Sequence, residues 1–418
     1  MKSVPPPAGR SSLDTIELAR METLLSERSP DQLRKIFTDR ELTGSGRGDN
    51  RTMNLAVRFT AREACLKLFP REKDLGVVTA VDFEIQFDEA GSVRLEPSAA
   101  ARTVFDLHRI ADVLVSITRG GTSVSATARV VAKQTEVPWF GKLIYHVLPW
   151  RRRVVLANLG RVFGDVLPES EIRRLAQSYY AHIARSFMDF VRLRLMSPER
   201  RKQWVRVENA ESPVRAHEKG HGLLLLTGHM GNWEVATVVG IGQFPQYRNL
   251  FHFVRRPLKP QWLNDLITRR FQRSGFGTLA KRGSLDTILE LLKSGAIVGF
   301  VFDQHAGKGD GIPVDFFGHP AGTFKSLALI ALDTGAPVIP ASCWREPDGS
   351  HVLRFEEPLP LIECDDAGEA IRQNTRAYNA ILERMLLRHP EQWIWMHRRW
   401  KISKTPAQPA AASHVGGV

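Results

Sequence analysis

The sequence predicts an α/β protein of two domains, an N-terminal α+β domain and a C-terminal α/β domain with a mixed, mainly parallel sheet flanked by helices. Three observations predict this fold class. The chain has 418 residues, more than one hydrophobic core usually spans. Its first third mixes helical periodicity with alternating, strand-like runs. After residue 168, short apolar runs alternate with amphipathic stretches, which is typical of parallel sheets covered on both faces.

Composition sets the predicted domain limits. Residues 1–11 are rich in proline and residues 403–418 in alanine, proline and glycine, so both ends are predicted to be disordered. Residues 12–135 are predicted to form the N-terminal domain. Residues 136–402 are predicted to form the C-terminal domain.

The N-terminal domain is predicted to open with a short strand and a helix after Leu13. A helical period follows at Leu55–Leu68. Alternation of apolar and polar residues at Val81–Phe87 predicts a strand, and the apolar run Ser123–Val131 predicts a later one.

The C-terminal domain is predicted to begin with a long amphipathic helix, after which strands and helices alternate. Gly295 and Gly335 end two of the helices, as glycine caps commonly do. The predicted strands are Leu223–Leu226, Ala296–Phe302 and Pro337–Ser342. The predicted helices are Glu169–Leu195, one that begins near Trp233, Ser284–Lys293, Lys325–Thr334 and Glu369–Arg388.

Basic residues outnumber acidic ones by 58 to 45, and most of the excess lies after residue 135. Clusters at 151–153, 192–206, 269–270 and 397–401 suit phosphate-bearing partners: an anionic membrane, lipid phosphates, an acidic carrier protein or nucleic acid. An ordinary solvated basic face is the alternative. We expect no nucleic-acid partner, because the sequence lacks zinc, helix-turn-helix and aromatic-basic signatures.

No apolar run reaches the roughly 18–20 residues that span a bilayer, so we expect a soluble or peripheral protein. The three cysteines form no Cys-x-x-Cys motif, which favours a reducing compartment. Trp139–Leu148 is short but contains the tryptophan, tyrosine and lysine that favour a membrane interface. This segment is either a linker with membrane contact or part of the second domain's core.

A histidine and a glutamate follow the predicted strand Leu223–Leu226. His229 and Glu234 lie five positions apart at a strand-to-helix turn, where α/β sheets place reactive groups. Histidine suits a general base that takes a proton from a hydroxyl, because its pKa lies near neutral pH. Glu234 is predicted to accept a hydrogen bond from the other ring nitrogen, while Gly228 and Gly231 allow a tight turn. Such a pair alone also occurs by chance.

The residues around this pair resemble a known family. Residues 229–234 read His-Met-Gly-Asn-Trp-Glu, which resembles the His-x-Gly-Asn-Trp-Glu block of the lysophospholipid acyltransferase superfamily, specifically the late acyltransferases of lipid A biosynthesis. The resemblance covers about residues 138–402. The family's later blocks are matched in order by Phe253–Leu258, Phe302–Gln304 with Val314–Thr323, Thr334–Pro340, and Gln392–Trp400.

This resemblance implies transfer of a fatty acyl group from a thioester, usually on acyl carrier protein, to a hydroxyl of a lipid or glycolipid. His229 and Glu234 would be catalytic, with no cofactor. Arginine in the second block implies binding of acceptor phosphate or of phosphopantetheine. The predicted substrate-binding residues here are Gly231, Asn232, Arg255, Arg256, Asp303 and Gln304.

Members of that branch generally begin with a membrane-spanning helix, whereas this sequence has another domain in that place. Trp139–Leu148 and the basic clusters are therefore expected to replace the anchor on an anionic membrane surface. We expect a peripheral enzyme on the cytoplasmic face of the inner membrane. A cytosolic enzyme with weak membrane affinity is the alternative.

The N-terminal domain resembles a second family, the holo-acyl-carrier-protein synthases, which transfer phosphopantetheine from coenzyme A to a carrier serine. Ser12–Arg20 resembles their opening motif, and Arg58–Lys67 resembles their Phe-x-x-Lys-Glu-x-x-x-Lys helix. The resemblance implies that Asp14 and Glu63 hold Mg²⁺, since carboxylate oxygens suit this ion. Lys67, one turn beyond Glu63, would reach the pyrophosphate of coenzyme A.

Ser12 replaces that family's usual glycine, Arg62 a lysine, and Arg119 a histidine. The domain is therefore either an active phosphopantetheinyl transferase that primes the carrier, or a degenerate domain that only docks acyl carrier protein. In a third alternative the whole chain is a noncatalytic membrane or carrier adaptor. Whether the chain forms a homo-oligomer through the N-terminal domain also stays open.

Overall fold

The computed structural model describes residues 10–47, 49–69, 72, 76–87, 93–148, 150–255, 260–281, 283–307 and 309–401. The chain divides into two compact units. The first unit contains Met1–Arg194 and Arg384–Trp395, and the second contains Leu195–Glu383 and Met396–Val418. The predicted disordered ends lie almost entirely outside the described residues, although Ser11 already belongs to the first strand.

The N-terminal part of the first unit combines antiparallel strands with helices, which confirms the predicted α+β class. Its strands are β1 (Ser11–Glu17), β2 (Phe83–Phe87), β3 (Val93–Pro97), β4 (Ile110–Arg119) and β5 (Ser123–Ala132). Its helices are α1 (Leu18–Glu27), α2 (Pro30–Arg34), α3 (Asp39–Thr43), α4 (Asp49–Lys67) and α5 (Ala99–Leu107). The strands form a three-stranded sheet in the order β1-β5-β4 and a separate β2-β3 hairpin.

A buried ion pair joins α4 to α3. The side chains of Arg62 and Glu41 are 1% and 0% exposed and form a salt bridge. Arg62 Nε also donates to the carbonyl of Phe83 at 3.1 Å, and Glu41 Oε1 accepts from the backbone N–H of Ile85 at 2.8 Å. The arginine that departs from the synthase pattern is therefore part of the core.

We expect Arg62→Ala to lower the free energy of unfolding by about 3–5 kcal/mol, because it leaves the Glu41 carboxylate buried without its partner. Denaturant unfolding of the full chain measures this change. Arg34→Ala is the matched control, since Arg34 pairs with Asp31 and Asp39 on the surface, where such pairs contribute about 0–1 kcal/mol. Equal losses in the two variants would contradict the prediction.

The first unit continues past the predicted domain limit at residue 135. Thr135 is buried, and its N–H donates to Glu171 Oε2 at 2.9 Å. Its carbonyl accepts from Arg174 Nε at 3.0 Å, and its hydroxyl from Arg109 Nη2 at 3.1 Å. The stretch between the predicted domains is thus fixed within the first unit, and a functional boundary at this point stays a prediction.

Three helices follow Thr135: α6 (Trp139–Val147), α7 (Arg152–Phe163) and α8 (Glu169–Leu195). In α6, Gly141 and Tyr145 are buried whereas Trp139, Leu143 and Val147 are exposed. Within the described residues, no helix is both long and apolar enough to cross a membrane.

The second unit contains a seven-stranded sheet and a two-stranded hairpin. The sheet strands are β6 (Val205–Glu208), β7 (Leu223–Thr227), β8 (Phe251–Arg255), β9 (Phe276–Ala280), β10 (Ile297–Val301), β13 (Val338–Arg345) and β14 (His351–Phe355). The hairpin strands are β11 (Gly311–Phe316) and β12 (His319–Phe324). The sheet order is β6-β14-β13-β7-β10-β8-β9. Among the described strands of this seven-stranded sheet, only the β13-β14 pair is antiparallel, so the predicted mixed, mainly parallel sheet is confirmed.

Helices flank this sheet, as predicted. They are α9 (Pro198–Trp204), α10 (Glu211–His217), α11 (Trp233–Ile241), α12 (Gln261–Arg273), α13 (Leu285–Lys293), α14 (Ser326–Thr334) and α15 (Ala367–Arg388), and α15 ends in the first unit. Leu224, Leu226, Val298 and Phe300 of the central strands form the core with α13 and α14. The central strands are buried on both faces, which explains their continuous apolar runs.

Candidate active site

The candidate site lies where three parallel strands end. β10 pairs with β7 and with β8, with Val301 opposite Thr227 and Phe300 opposite Val254. His229 lies two residues after β7, and Asp303 two residues after β10. Because the carboxyl ends of parallel strands meet at one edge, these side chains come together.

Asp303 holds His229 through both of its carboxylate oxygens. Oδ1 lies 2.8 Å from the ring Nδ1, and Oδ2 accepts from the backbone N–H of His229 at 2.7 Å. The side chain of Asp303 is fully buried, whereas that of His229 is 19% exposed. A carboxylate at Nδ1 favours the tautomer with the proton on that nitrogen, which leaves Nε2 as a proton acceptor. Gln304 Nε2 lies 3.5 Å from this Nε2.

Two glycines and an asparagine shape the turn after β7. A Cβ on Gly228 would lie 3.1 Å from Asp303 Oδ2, so the small residue allows the close approach of Asp303. Gly231 has φ +55°, and a Cβ there would lie 2.6 Å from the carbonyl oxygen of Cys343. Asn232 accepts from the backbone N–H of Val235 at 3.4 Å and so caps α11.

Opposing influences set the pKa of His229. Burial lowers it, but the charge of Asp303, its hydrogen bond and the charge of Glu234 together raise the pKa above the ordinary 6.5. The imidazolium form is therefore stabilised by two carboxylates. A base that gains a proton during a reaction benefits from this arrangement.

His229 lines a cavity of about 720 Å³, a size that accommodates a substantial ligand. Glu234, Gln304 and Arg255 also line it. Much of the remaining wall is apolar and includes Phe253, Phe271, Ile288, Phe300, Phe302, Phe324 and Ile330. Leu285 and Leu329 are 54% and 41% exposed and so lie at its opening. The cavity thus joins a polar, histidine-bearing region to an apolar one.

Arg255 ends β8 and brings a cation to this cavity. Its Nη2 donates to Asn264 Oδ1 at 3.1 Å and its Nη1 to Thr268 Oγ1 at 3.3 Å, both on α12. Burial lowers the pKa of Arg255, and the charge of Glu234 opposes this effect. The two α12 side chains orient the guanidinium. Arg256, the neighbouring predicted residue, lies outside the described residues.

The C-terminal signature supplies two further residues. The His397 ring lies 5.5 Å from the His229 ring, between centroids. Arg399 is fully buried and donates to the carbonyl of Gly322 at 2.6 Å and to Thr323 Oγ1 at 2.7 Å. Burial lowers the pKa of Arg399 to about 10, while the charges of Asp303 and Glu383 raise it. Arg399 is therefore a buried cation that favours ionised Asp303.

Two of the three N-terminal candidate residues, Asp14 and Lys67, come together where β1 meets α4. Lys67 Nζ lies 2.6 Å from Asp14 Oδ1 and donates to the carbonyl of Leu13 at 3.3 Å. The hydroxyl of Ser12 donates to the carbonyl of Ala64, the residue after Glu63. The described residues contain no group of three or more histidine, cysteine, aspartate or glutamate side chains that could hold a metal ion. Any ion here would need ligands beyond the two carboxylates.

Residues 131–402 match the family model of the bacterial lipid A biosynthesis acyltransferases. This chain belongs to that family. The resemblance seen in five sequence blocks is therefore confirmed, and three of these blocks contain His229, Arg255 and Asp303, which lie at this edge of the sheet.

Curated relatives of this acyltransferase agree with the family match. A phosphatidylinositol mannoside acyltransferase of Mycolicibacterium smegmatis is 25% identical over 250 residues, which cover 58% of this chain and 77% of the relative. A lipid A biosynthesis lauroyltransferase of Escherichia coli is 26% identical over 267 residues, which cover 62% and 82%.

Solved structures match another part of the acyltransferase chain. A holo-[acyl-carrier-protein] synthase from Neisseria meningitidis covers 30% of this chain and 98% of its own, with 22% sequence identity and a TM-score of 0.26. A holo-ACP synthase from Plasmodium yoelii covers 30% and 95%, with 21% identity and a TM-score of 0.25.

One site prediction for this acyltransferase needs correction. The hydrogen-bond partner of the His229 ring was predicted to be Glu234, and this was wrong: Asp303 holds Nδ1, and Glu234 acts through its charge. Gly231 and Asn232 shape the turn after β7, and their predicted role in substrate binding stays a prediction.

Sequence reasoning assigned Asp303 to substrate binding and gave no separate role to His397 or Arg399. A polar residue just after each apolar strand was the available signal, since Asp303 follows β10 as His229 follows β7. That signal becomes decisive only when the two strands are known to be neighbours.

Proposed function

We propose that this chain transfers a fatty acyl group from an acyl thioester, carried by acyl carrier protein, to a hydroxyl of a lipid or glycolipid. One observation carries the proposal: in this chain, a member of the family, His229 contacts buried Asp303 and lines a cavity with both polar and apolar walls. The family match supports acyl transfer itself. The relatives named for lipid A and for phosphatidylinositol mannoside acylation support a glycolipid acceptor.

His229 is the general base in this proposal. Its Nε2 takes the proton of the acceptor hydroxyl as the oxygen attacks the thioester carbonyl, and Asp303 stabilises the imidazolium that forms. The tetrahedral intermediate then collapses. The new carbon–oxygen bond to the acceptor remains, and the carbon–sulfur bond of the thioester breaks. The leaving sulfur takes the proton that His229 returns and departs as a thiol.

The cavity wall suits the rest of the substrates. The apolar side chains, among them Phe253 and Phe271, would bury the acyl chain. The guanidinium of Arg255, oriented by Asn264 and Thr268, would bind a phosphate of the acceptor or of phosphopantetheine. Arg256 and Gln304 stay candidates for the same group. The reaction would take place at an anionic membrane surface on the cytoplasmic face of the inner membrane.

An assay with purified full-length protein tests this function. Acyl carrier protein and coenzyme A thioesters of one fatty acid are each offered with a lipid A precursor or a phosphatidylinositol mannoside, and products are identified by mass spectrometry. We expect an acylated glycolipid with the carrier thioester as the better donor. No turnover with any pair would favour the adaptor alternative, and hydrolysis of the thioester alone would contradict transfer to a glycolipid.

A second function is proposed for the N-terminal part, because Asp14 forms an ion pair with Lys67, which lies four residues after Glu63 on α4. Two carboxylates fit Mg²⁺ in phosphate-handling sites, where waters and substrate phosphates complete the shell. The ion, held by Asp14 and Glu63, would neutralise the phosphates of coenzyme A. Lys67 would bind the same pyrophosphate and orient it toward the carrier serine.

We expect the full chain to convert an apo-carrier to its phosphopantetheine form with coenzyme A and Mg²⁺, and chelation or Asp14→Ala to stop this conversion. Mass spectrometry of the carrier measures the product. His229→Ala is the control and should leave carrier modification unchanged. A wild-type chain that binds the carrier without modifying it would instead support the docking alternative.

A further inference from the structure

Eight exposed apolar side chains of the first unit form one surface, called here the α6–α8 face. They lie on α6, on the segment after it and on α8: Trp139, Leu143, Val147, Leu148, Trp150, Phe187, Met188 and Val191. Their exposed fractions run from 45% for Met188 to 75% for Trp139. Contiguous exposed apolar surface of this kind usually marks an interaction site.

The arrangement along α6 is regular. Trp139, Leu143 and Val147 recur every four residues and so share one helical face. Gly141 and Tyr145 on the other face are buried. The helix therefore uses one face for packing within the unit and leaves an apolar face outside.

Close packing holds that exposed face in place. A Cβ on Gly141 would lie 2.7 Å from the carbonyl oxygen of Gln177 and 2.8 Å from the Cβ of Ala181, so α6 and α8 touch closely. The Tyr145 and Tyr180 rings are 5.8 Å apart. The backbone of α6, which presents the outer side chains, is consequently held against α8.

A further contact joins the two helices near their exposed apolar side chains. The Arg185 guanidinium of α8 lies 5.2 Å from the centre of the Phe140 ring, beside Trp139. Phe187 and Val191 follow on α8 within two turns and are 74% and 48% exposed. The apolar side chains of α8 thus extend the surface that α6 begins.

Cations border this surface. Lys142, Arg151 and Arg153 are exposed on or next to α6, and Arg192 is 57% exposed beside Val191. The first and last turns of α6 contain no acidic residue. Tryptophan with lysine and arginine is the combination that favours the boundary between lipid headgroups and acyl chains. A protein partner would explain the apolar area, but a border of cations around tryptophan fits lipid better.

We propose that the α6–α8 face inserts into the headgroup region of an anionic lipid bilayer and holds the enzyme on the membrane. This inference rests on the proposed function in one respect only, which is that the acceptor substrate is a lipid held in the membrane. The apolar side chains provide burial among the acyl chains, and the cations provide attraction to anionic headgroups.

Flotation of the full-length protein tests the proposal with vesicles of phosphatidylcholine alone and of phosphatidylcholine with phosphatidylglycerol. We expect binding to the anionic vesicles that weakens as salt is raised. The double variant Trp139→Ser/Leu143→Ser should bind at least roughly tenfold more weakly, because two anchoring side chains are lost. Arg151→Gln/Arg153→Gln should reduce the preference for anionic lipid.

Trp262→Ser/Leu114→Ser is the matched control. It removes a tryptophan and a leucine that are 66% and 48% exposed outside the α6–α8 face, and it should float like the wild type. Equal losses of vesicle binding in both double variants, or unchanged flotation of Trp139→Ser/Leu143→Ser, would overturn the proposal. So would a wild-type chain that binds neither vesicle.

A detergent assay separates this proposal from the proposed function. Acyl transfer to a detergent-dispersed acceptor should be unchanged in Trp139→Ser/Leu143→Ser, because neither residue lines the cavity. Sedimentation velocity adds a further outcome: a wild-type dimer that the double variant dissociates, with vesicle binding intact, would make the surface an interface between copies and refute the membrane role.

Discussion

Replacing His229 with alanine is expected to reduce kcat for acyl transfer by roughly 10²–10⁴-fold, the usual contribution of a positioned general base. Without the imidazole, no group at the end of β7 takes the hydroxyl proton during attack on the thioester. The variant should keep its fold, since His229 is partly exposed at a cavity wall. Transfer from acyl carrier protein to the glycolipid, followed by mass spectrometry, measures the loss.

His397→Ala is the matched control, because the two imidazole rings are only 5.5 Å apart between centroids. It removes the neighbouring imidazole and keeps the contact between His229 Nδ1 and Asp303. We expect a much smaller decrease in kcat. If His397→Ala abolished transfer and His229→Ala retained it, the base would have to be reassigned to His397.

Asp303→Asn is expected to produce the second large effect, on the order of 10²–10³-fold in kcat, with little change in shape. The carboxamide can still accept from the backbone N–H of His229, but its NH₂ group would then face Nδ1. That arrangement places the ring proton on Nε2, so the nitrogen facing the cavity can no longer accept one. Asp303 is a positioning residue in this account.

The pH profile distinguishes this role from a merely structural one. Burial lowers the pKa of His229, but Asp303 and Glu234 raise it above 6.5. On the acidic side of the profile, called here the acidic limb, kcat/KM of the wild type should therefore fall at a pH above 6.5. Asparagine carries no charge. The limb of the residual activity should therefore shift to lower pH in Asp303→Asn.

Glu234→Gln serves as the comparison, because the sequence alone gave Glu234 the role that the geometry gives Asp303. Glu234 acts on His229 and on Arg255 through its charge, so we expect a smaller loss of kcat and a smaller shift of the same limb. A larger effect for Glu234→Gln than for Asp303→Asn would return the positioning role to Glu234.

Much of the fold was predictable because its signals are local. The helix Glu169–Leu195 was predicted with the observed limits, since amphipathic periodicity over many turns is unambiguous. The buried strands β7 and β10 were predicted from continuous apolar runs. The strand His351–Phe355 was missed, because a short run with polar residues does not differ from a loop in sequence.

The sequence by itself determined the fold class, the acyltransferase family and the place of His229 at a strand end. Only the tertiary structure decided which carboxylate contacts the ring nitrogen of His229. Glu234 is near in sequence, but Asp303 is 74 positions away and reaches the ring because β7 and β10 are parallel neighbours. Likewise, the arginine at position 62 reads as a departure from a motif until its buried pairing with Glu41 is seen. Pairing between distant strands and helices depends on packing that no local pattern records.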